Sequence, residues 1–166
     1  AATAVVMPTR IVESATDLYL GDVKVVIWPM QPAHSPGDLV VWLPRQKILF
    51  TGDVVTSSSM PELKDAHVQS WLTALKDLET LGAARVVPGH GAVTSGAAVQ
   101  RQYDLLDDLW KLVQDGQKGG QNYVDITARA RALMANRHAR YFPDYELSLT
   151  DNVNAILRQL PPVKTP

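Results

Sequence analysis

Two of the four histidines and one aspartate lie where short apolar runs begin or end. His34 comes shortly before the run Leu39–Leu43, Asp53 follows the run Lys47–Phe50, and His90 lies in the turn Pro-Gly-His-Gly. Imidazole nitrogens and a carboxylate are ordinary ligands of zinc-type metals. If these side chains meet, they can hold a metal that activates water for hydrolysis.

The elements around these residues decide whether they can meet. A short polar turn separates the two apolar runs, which predicts a β-hairpin that returns His34 and Asp53 to one end. The stretch 67–81 has helical periodicity, and the β-branched run 85–87 follows it. A strand, a helix and a second strand form a right-handed crossover with parallel strands. His90 is therefore predicted beside Asp53, at an edge of the kind where open α/β sheets bind ligands.

Each of these residues also has a purely structural interpretation. Asp53 can cap a turn after Gly52, and a histidine in a tight turn commonly points to solvent. We favour the metal interpretation because the topological argument brings three ligand side chains to one sheet edge independently of their types.

The motifs HSPGDLVVWLP, KILFTGD and VVPGHG, in this order, resemble the second half of a metallo-β-lactamase-fold hydrolase. The resemblance covers residues 23–96 and extends weakly to the segment 145–160. It implies an α/β fold, half of an αββα sandwich in which helices pack on a mixed sheet. It also implies that His34 binds a first metal ion, that Asp53 bridges two ions as the pivotal catalytic residue, and that His90 binds the second ion.

The family's first metal motif, His-x-His-x-Asp-His, is missing from this sequence. A catalytic zinc usually has three protein ligands and an open position for water, so three ligands cannot serve two ions. The resemblance therefore implies the C-terminal half of a dinuclear metallohydrolase, inactive as this fragment alone, and the start at Ala1 agrees with a processed or truncated chain. Two zinc ions are the implied cofactors of the complete site, with iron or manganese as alternatives. The bond cleaved in a small-molecule substrate stays open among ester, lactone, thioester, amide and β-lactam-like bonds.

The chain is predicted to form one domain over residues 1–166. Its parts, in order, are antiparallel strands at 1–33, a metal-motif core at 34–91 and a helical part at 92–166. The predicted strands of the first part are 16–20 and 23–28, and the run 4–7 predicts a short strand or a loose arm. The predicted helices of the last part are 96–114, capped by Thr94 or Ser95 and ended by the glycine-rich segment 116–120, then 125–136, and one that starts at Thr150 or Asp151.

Several polar groups are given structural interpretations. The carboxylates at 104, 107 and 108 and the arginines at 129, 131, 137 and 140 are expected to be solvent-facing charges of two helices. His67 is expected at the surface or as a helix cap. The loop 57–60 is either a solvated connector or part of a substrate pocket.

Composition excludes several classes of protein. A net charge of −1 gives no reason to expect a nucleic-acid partner. The absence of cysteine excludes disulfides and thiolate metal sites, and no apolar run approaches the roughly 18 residues of a membrane span. The compartment stays open, because a periplasmic or secreted protein and a cytoplasmic one both fit.

Three hypotheses follow. The first is a metallohydrolase fragment completed by its missing N-terminal half or by a second copy of the chain. The second is a non-catalytic half-domain that self-associates to a homo-oligomer through an exposed sheet edge and apolar face. The third is a binding module that holds a small anion at Pro-Gly-His-Gly.

Overall fold

A mixed sheet forms the centre of the computed structural model, which describes residues 4–162. The six strands lie side by side in chain order. They are β1 Thr16–Leu20, β2 Val23–Pro29, β3 Leu39–Leu43, β4 Ile48–Gly52, β5 Arg85–Pro88 and β6 Thr94–Ser95. Every neighbouring pair is antiparallel except β4 and β5, which are parallel. The predicted α/β class and mixed sheet are thereby confirmed.

One helix lies between the strands β4 and β5 in the chain and the others follow β6, and the helices pack on one face of the sheet. They are α1 Val68–Thr80, α2 Ala97–Lys118, α3 Tyr123–Leu133 and α4 Leu149–Gln159, with a π-helical turn at Met134–His138 and a 3₁₀ turn at Tyr145–Leu147. The helix α1 is the crossover between the parallel strands β4 and β5, as its apolar periodicity predicted. Its residues Trp71, Leu75 and Leu78 are fully buried.

Strand register shows which side chains lie on the sheet face that the helices cover and which lie on the opposite face. Trp42 of β3 lies opposite Leu49 of β4, which lies beside Val86 of β5, and all three are buried against the helices. Since side chains alternate along a strand, the neighbouring positions form a second apolar row on the opposite face. That row contains Val41 and Phe50, which lie opposite each other, and Phe50 is 40% exposed.

Two of the sequence expectations about the helical part are wrong. Thr94 and Ser95 do not cap α2; they form β6, and the N-cap is Gly96 without a side-chain hydrogen bond. The predicted end at residue 114 is four residues short, because α2 continues to Lys118 and has its C-cap at Gly119, inside the glycine-rich segment that was expected to end it. Gly116 lies within the helix, where a side chain would collide with Ile126.

The remaining boundaries differ less. The third helix begins at Tyr123 and changes to π-helical geometry at Met134. The last helix begins at Leu149. Residues 4–15 form no strand, and Val5, Val6 and Met7 are exposed, so the arm interpretation holds for the described part of that segment. No helix in residues 4–162 is long and apolar enough to cross a membrane.

Candidate metal centre

His34, Asp53 and His90 line the same cavity, which has a volume of about 260 Å³. The hairpin of β3 and β4 returns the chain so that His34 and Asp53 lie at one end, and the parallel strand β5 delivers His90 to that end. The cavity wall is completed by Thr56, Ser59, Met60, Pro61 and Glu62. The structure therefore brings the three candidate side chains to one cavity at this end of the sheet, as the topology predicted.

Asp53 and His90 are close enough to interact directly. His90 Nε2 lies 3.4 Å from Asp53 Oδ1, and the two side chains are 67% and 39% exposed. Their turns are joined by a backbone hydrogen bond in which Gly89 N donates to Gly52 O at 2.7 Å. The imidazole and carboxylate are thus held together by the backbone and left open on the side that faces solvent.

Two glycines make this approach of the turns possible. A methyl group on Gly89 would overlap Asp53 Oδ1 and lie 2.7 Å from the carbonyl carbon of Gly52. Gly91 has a φ of +94°, which favours glycine, and its Cα lies against the carbonyl group of Ser57. Pro-Gly-His-Gly therefore needs its glycines for contact with the neighbouring loops.

His34 reaches the cavity from the turn before β3. Its ring packs edge-on against Trp71, with ring centroids 5.7 Å apart and an interplanar angle of 81°. Asp38 closes the turn by accepting hydrogen bonds from Ser35 N at 2.8 Å and Ser35 Oγ at 2.6 Å. His34 is thus positioned by a buried tryptophan and by a turn that its own motif builds.

The side chains are of the types that bind a zinc-type ion, but too few of them lie close together. Two imidazoles and one carboxylate are suitable ligands, and all three face one cavity. Within residues 4–162, however, no three histidine, cysteine or acidic side chains converge closely enough to hold a metal ion together. Asp53 and His90 are adjacent, and His34 lines the same cavity.

Comparison with known proteins decides the family. The sequence profile of the Metallo-beta-lactamase superfamily matches residues 1–90, more than half of the chain. The chain belongs to the metallo-β-lactamase superfamily. This superfamily consists of metallohydrolase-like proteins and implies metal-ion cofactors, typically zinc.

Relatives within the superfamily differ in the activity that they carry. The Metallo-beta-lactamase type 2 of Bacillus cereus is 36% identical over 104 residues, which cover 60% of this chain and 41% of that protein. The Acyl-coenzyme A thioesterase MBLAC2 of Gallus gallus is 32% identical over 90 residues, covering 51% of this chain and 32% of that protein. The chain therefore spans about two-fifths or less of the length of these relatives.

A solved structure of a variant of the sec-alkyl sulfatase PisA1 superposes with a TM-score of 0.72. It covers 93% of this metallo-β-lactamase-fold chain and 27% of the sulfatase, at 17% identity. At that identity the likeness concerns the fold alone. It includes the helical part, which lies outside the profile match.

The cavity wall is held in place by three polar residues for which the sequence suggested no role. Gln102 of α2 accepts a hydrogen bond from Thr56 Oγ1 at 3.2 Å, and Asp144 accepts from Met60 N at 2.7 Å and Ser59 Oγ at 2.9 Å. Asn152 of α4 donates to Pro61 O at 2.8 Å and accepts from Leu63 N at 2.9 Å. The helical part therefore shapes the loop 56–63. In the sequence, the only sign of this role for Asn152 is an amide side chain among the apolar positions of the predicted last helix.

Other sequence expectations have mixed outcomes. His67 is the N-cap of α1 and accepts a hydrogen bond from Ser70 N, as expected of a cap. Asp108 is not a simple solvent-facing charge, because it forms an ion pair with Arg137 Nη1 at 2.8 Å and a hydrogen bond with the buried His138 Nε2 at 2.9 Å. The expectation failed because the π-helical turn folds His138 back onto α2.

Proposed function

We propose that this chain supplies His34, Asp53 and His90 to the metal centre of a zinc-dependent, dinuclear hydrolase. The observation that carries the proposal is the meeting of these three side chains at one cavity, with His90 Nε2 3.4 Å from Asp53 Oδ1. The family's metal dependence supports the proposal, since the motifs around these positions resemble its metal motifs.

The imidazole and carboxylate side chains would take different roles at the metal centre. His34 and His90 present imidazole nitrogens, and Asp53, lying next to His90, presents a carboxylate with two oxygens that suits a bridging position. When bound, zinc-type ions would lower the pKa of a coordinated water and polarise the carbonyl under attack. Met60 and Pro61 form an apolar part of the cavity wall, where a substrate group can be held away from water.

The site needs further ligands. A catalytic zinc usually has three protein ligands of its own, so two ions require more donors than the three residues provide. We propose that these donors belong to a second half of the fold that covers the apolar face of the sheet. More than half of the Bacillus cereus relative's length lies outside the match, which leaves room for such a half.

The names of the relatives suggest two candidates for the bond that is cleaved. A β-lactam and a thioester both contain an acyl carbon that an activated water can attack, and both occur in the names of the relatives. We propose acyl-transfer hydrolysis as the reaction class.

Zinc content and turnover, measured together, test this proposal. The zinc-loaded chain, Asp53→Ala and the control Asp104→Ala, an exposed residue of α2, are compared by elemental analysis and with a β-lactam, a thioester and an aryl ester. We expect the wild type and the control to retain zinc and Asp53→Ala to bind zinc at least tenfold more weakly. We expect none of the three proteins to turn over any of the three substrates. Absence of zinc binding contradicts the metal site, and turnover that Asp53→Ala abolishes contradicts its incompleteness.

The uncovered sheet face gives a second test. Light scattering measures the mass of the chain with and without chelator, for wild type and for Phe50→Lys. If another half of the fold covers this face, the chain alone is a monomer or a loose associate that Phe50→Lys makes fully monomeric. A stable dimer that is indifferent to chelator instead favours the non-catalytic, self-associating half-domain.

A further inference from the structure

A second cavity, of about 230 Å³, lies behind the loop that forms the wall of the metal-centre cavity. We call it the arginine cavity. It is lined by Arg101 of α2, by Arg140 and Tyr141 after the π-helical turn, by Thr94 of β6 and by the loop residues 56–58. It therefore joins the sheet, the loop and the helical part.

The arginine cavity is positively charged. Two guanidinium groups line it, and no carboxylate does. Arg101 Nη2 donates to Thr94 Oγ1 at 3.2 Å, and neither Arg101 nor Arg140 forms an ion pair among residues 4–162. By contrast, the nearby Arg137 is paired with Asp108. Both Arg137 and Arg140 are exposed, as expected from the sequence, but among residues 4–162 only Arg137 of the two has an acidic partner.

The ring of Tyr141 holds both guanidinium groups. The Cζ atoms of Arg101 and Arg140 lie 5.0 and 4.5 Å from the ring centroid, a distance typical of cation–π contact. Stacking restricts side chains that would otherwise move freely, and it leaves the N–H edges of the guanidinium groups available. Two like charges are thus fixed near one ring, an arrangement that a bound anion would stabilise.

The loop adds neutral donors. The Ser57 and Ser58 hydroxyls line the cavity and make no hydrogen bond to another side chain or to the backbone in the part of the chain that the structure describes. Ser58 has a φ of +67°, which is uncommon for a residue with a side chain. Such backbone strain persists where the surroundings enforce it and is frequent at ligand sites.

We propose that the arginine cavity binds a phosphoryl group. Guanidinium groups recognise phosphate oxygens through paired N–H donors, and serine hydroxyls can donate to the oxygens that remain. A larger adjoining cavity of about 430 Å³ shares Arg101, Arg140 and Tyr141 with it and offers space for the rest of a ligand. That space also contains Arg137, which is paired with Asp108, and Asp104, which accepts a hydrogen bond from Gln100 Nε2.

The position of this cavity connects it with the metal centre. Thr56 lines both cavities, and Ser57 N donates to the carbonyl oxygen of His90 at 2.8 Å. A phosphoryl group bound by the arginines would lie across one loop from the candidate ligands. If the proposed function holds, the substrate carries its phosphoryl group at a short distance from the bond that is cleaved.

Titration with inorganic phosphate tests the inference. Calorimetry and backbone amide NMR are run in chelator at constant ionic strength on wild type, Arg101→Gln, Arg140→Gln and the control Arg129→Gln. Arg129 is an exposed residue of α3 that lines neither cavity. We expect saturable binding that shifts the Ser57 and Ser58 amides, at least a tenfold loss of affinity in each of the first two variants, and no change in the control.

Two results would overturn the inference. One is equal phosphate affinity in wild type and in both cavity variants, and the other is a phosphate response no larger than that to chloride. Amide spectra of each variant show whether it is folded, so loss of binding is not confused with unfolding. Because chelator removes any metal, a failure here leaves the metal-centre proposal untouched, and absence of zinc binding leaves the phosphate site untouched.

Discussion

Replacing Asn152 by leucine should destabilise the wall of the metal-centre cavity. The Asn152 side chain is 1% exposed, donates to Pro61 O and accepts from Leu63 N, while leucine has a similar size and no polar atom. The substitution leaves two backbone groups without partners, and Leu63 is fully buried. An unsatisfied buried group costs about 1–3 kcal/mol, so the loss of two partners by Asn152→Leu is expected to lower the free energy of unfolding by about 2–6 kcal/mol.

Urea denaturation followed by tryptophan fluorescence measures this change, with Asn154→Leu as the matched control. Asn154 lies on the same helix and makes one hydrogen bond, to the hydroxyl of Tyr123, which also donates to Thr150 O. The control is expected to cost less than about 1.5 kcal/mol. Equal losses in the two variants would refute the idea that α4 holds the cavity wall through Asn152.

Two further substitutions test how the site is positioned. Trp71→Phe removes the indole that donates to Val54 O at 2.9 Å and leaves space in a fully buried position, so we expect a loss of about 2–4 kcal/mol in urea denaturation; a loss below about 1 kcal/mol would contradict this packing. Gly89→Ala places a methyl group on Asp53 Oδ1 and is expected to reduce zinc per chain in elemental analysis, whereas Gly37→Ala, where a methyl group meets open space, is expected to retain it; equal zinc in both would show that the Gly89 contact does not matter.

Local patterns predicted the parts of the fold that depend on neighbouring residues. The hairpins, α1 and the parallel strand β5 follow from alternating or helical periodicity between turn residues, and together they were sufficient to place Asp53 beside His90. The glycine-rich segment 116–120 does end α2, but the last helical residue was predicted too early, at 114 in place of Lys118. Only the contact of Gly116 with Ile126 from α3 shows why glycine is needed inside the helix.

Residues that act across long sequence separations were not predictable in this way. Asn152 and Asp144 bind a loop more than 80 positions earlier in the chain, so their partners exist only in the folded state. Asp108 looked like one charge on an exposed helix face until the π-helical turn placed His138 against it. The arginine cavity was missed for the same reason, since Arg101 and Arg140 come together only around Tyr141.

The most direct test of the central claim is a Zn²⁺ titration followed by NMR signals of the histidine rings. The chain has four histidines, of which His34 and His90 line the candidate metal centre. His67 caps α1 and His138 binds Asp108, so these two serve as internal controls. The account predicts that the His34 and His90 signals shift together at the same zinc concentration and that Asp53→Ala weakens both responses. A response confined to His67 or His138, or no response at either cavity histidine, would contradict it.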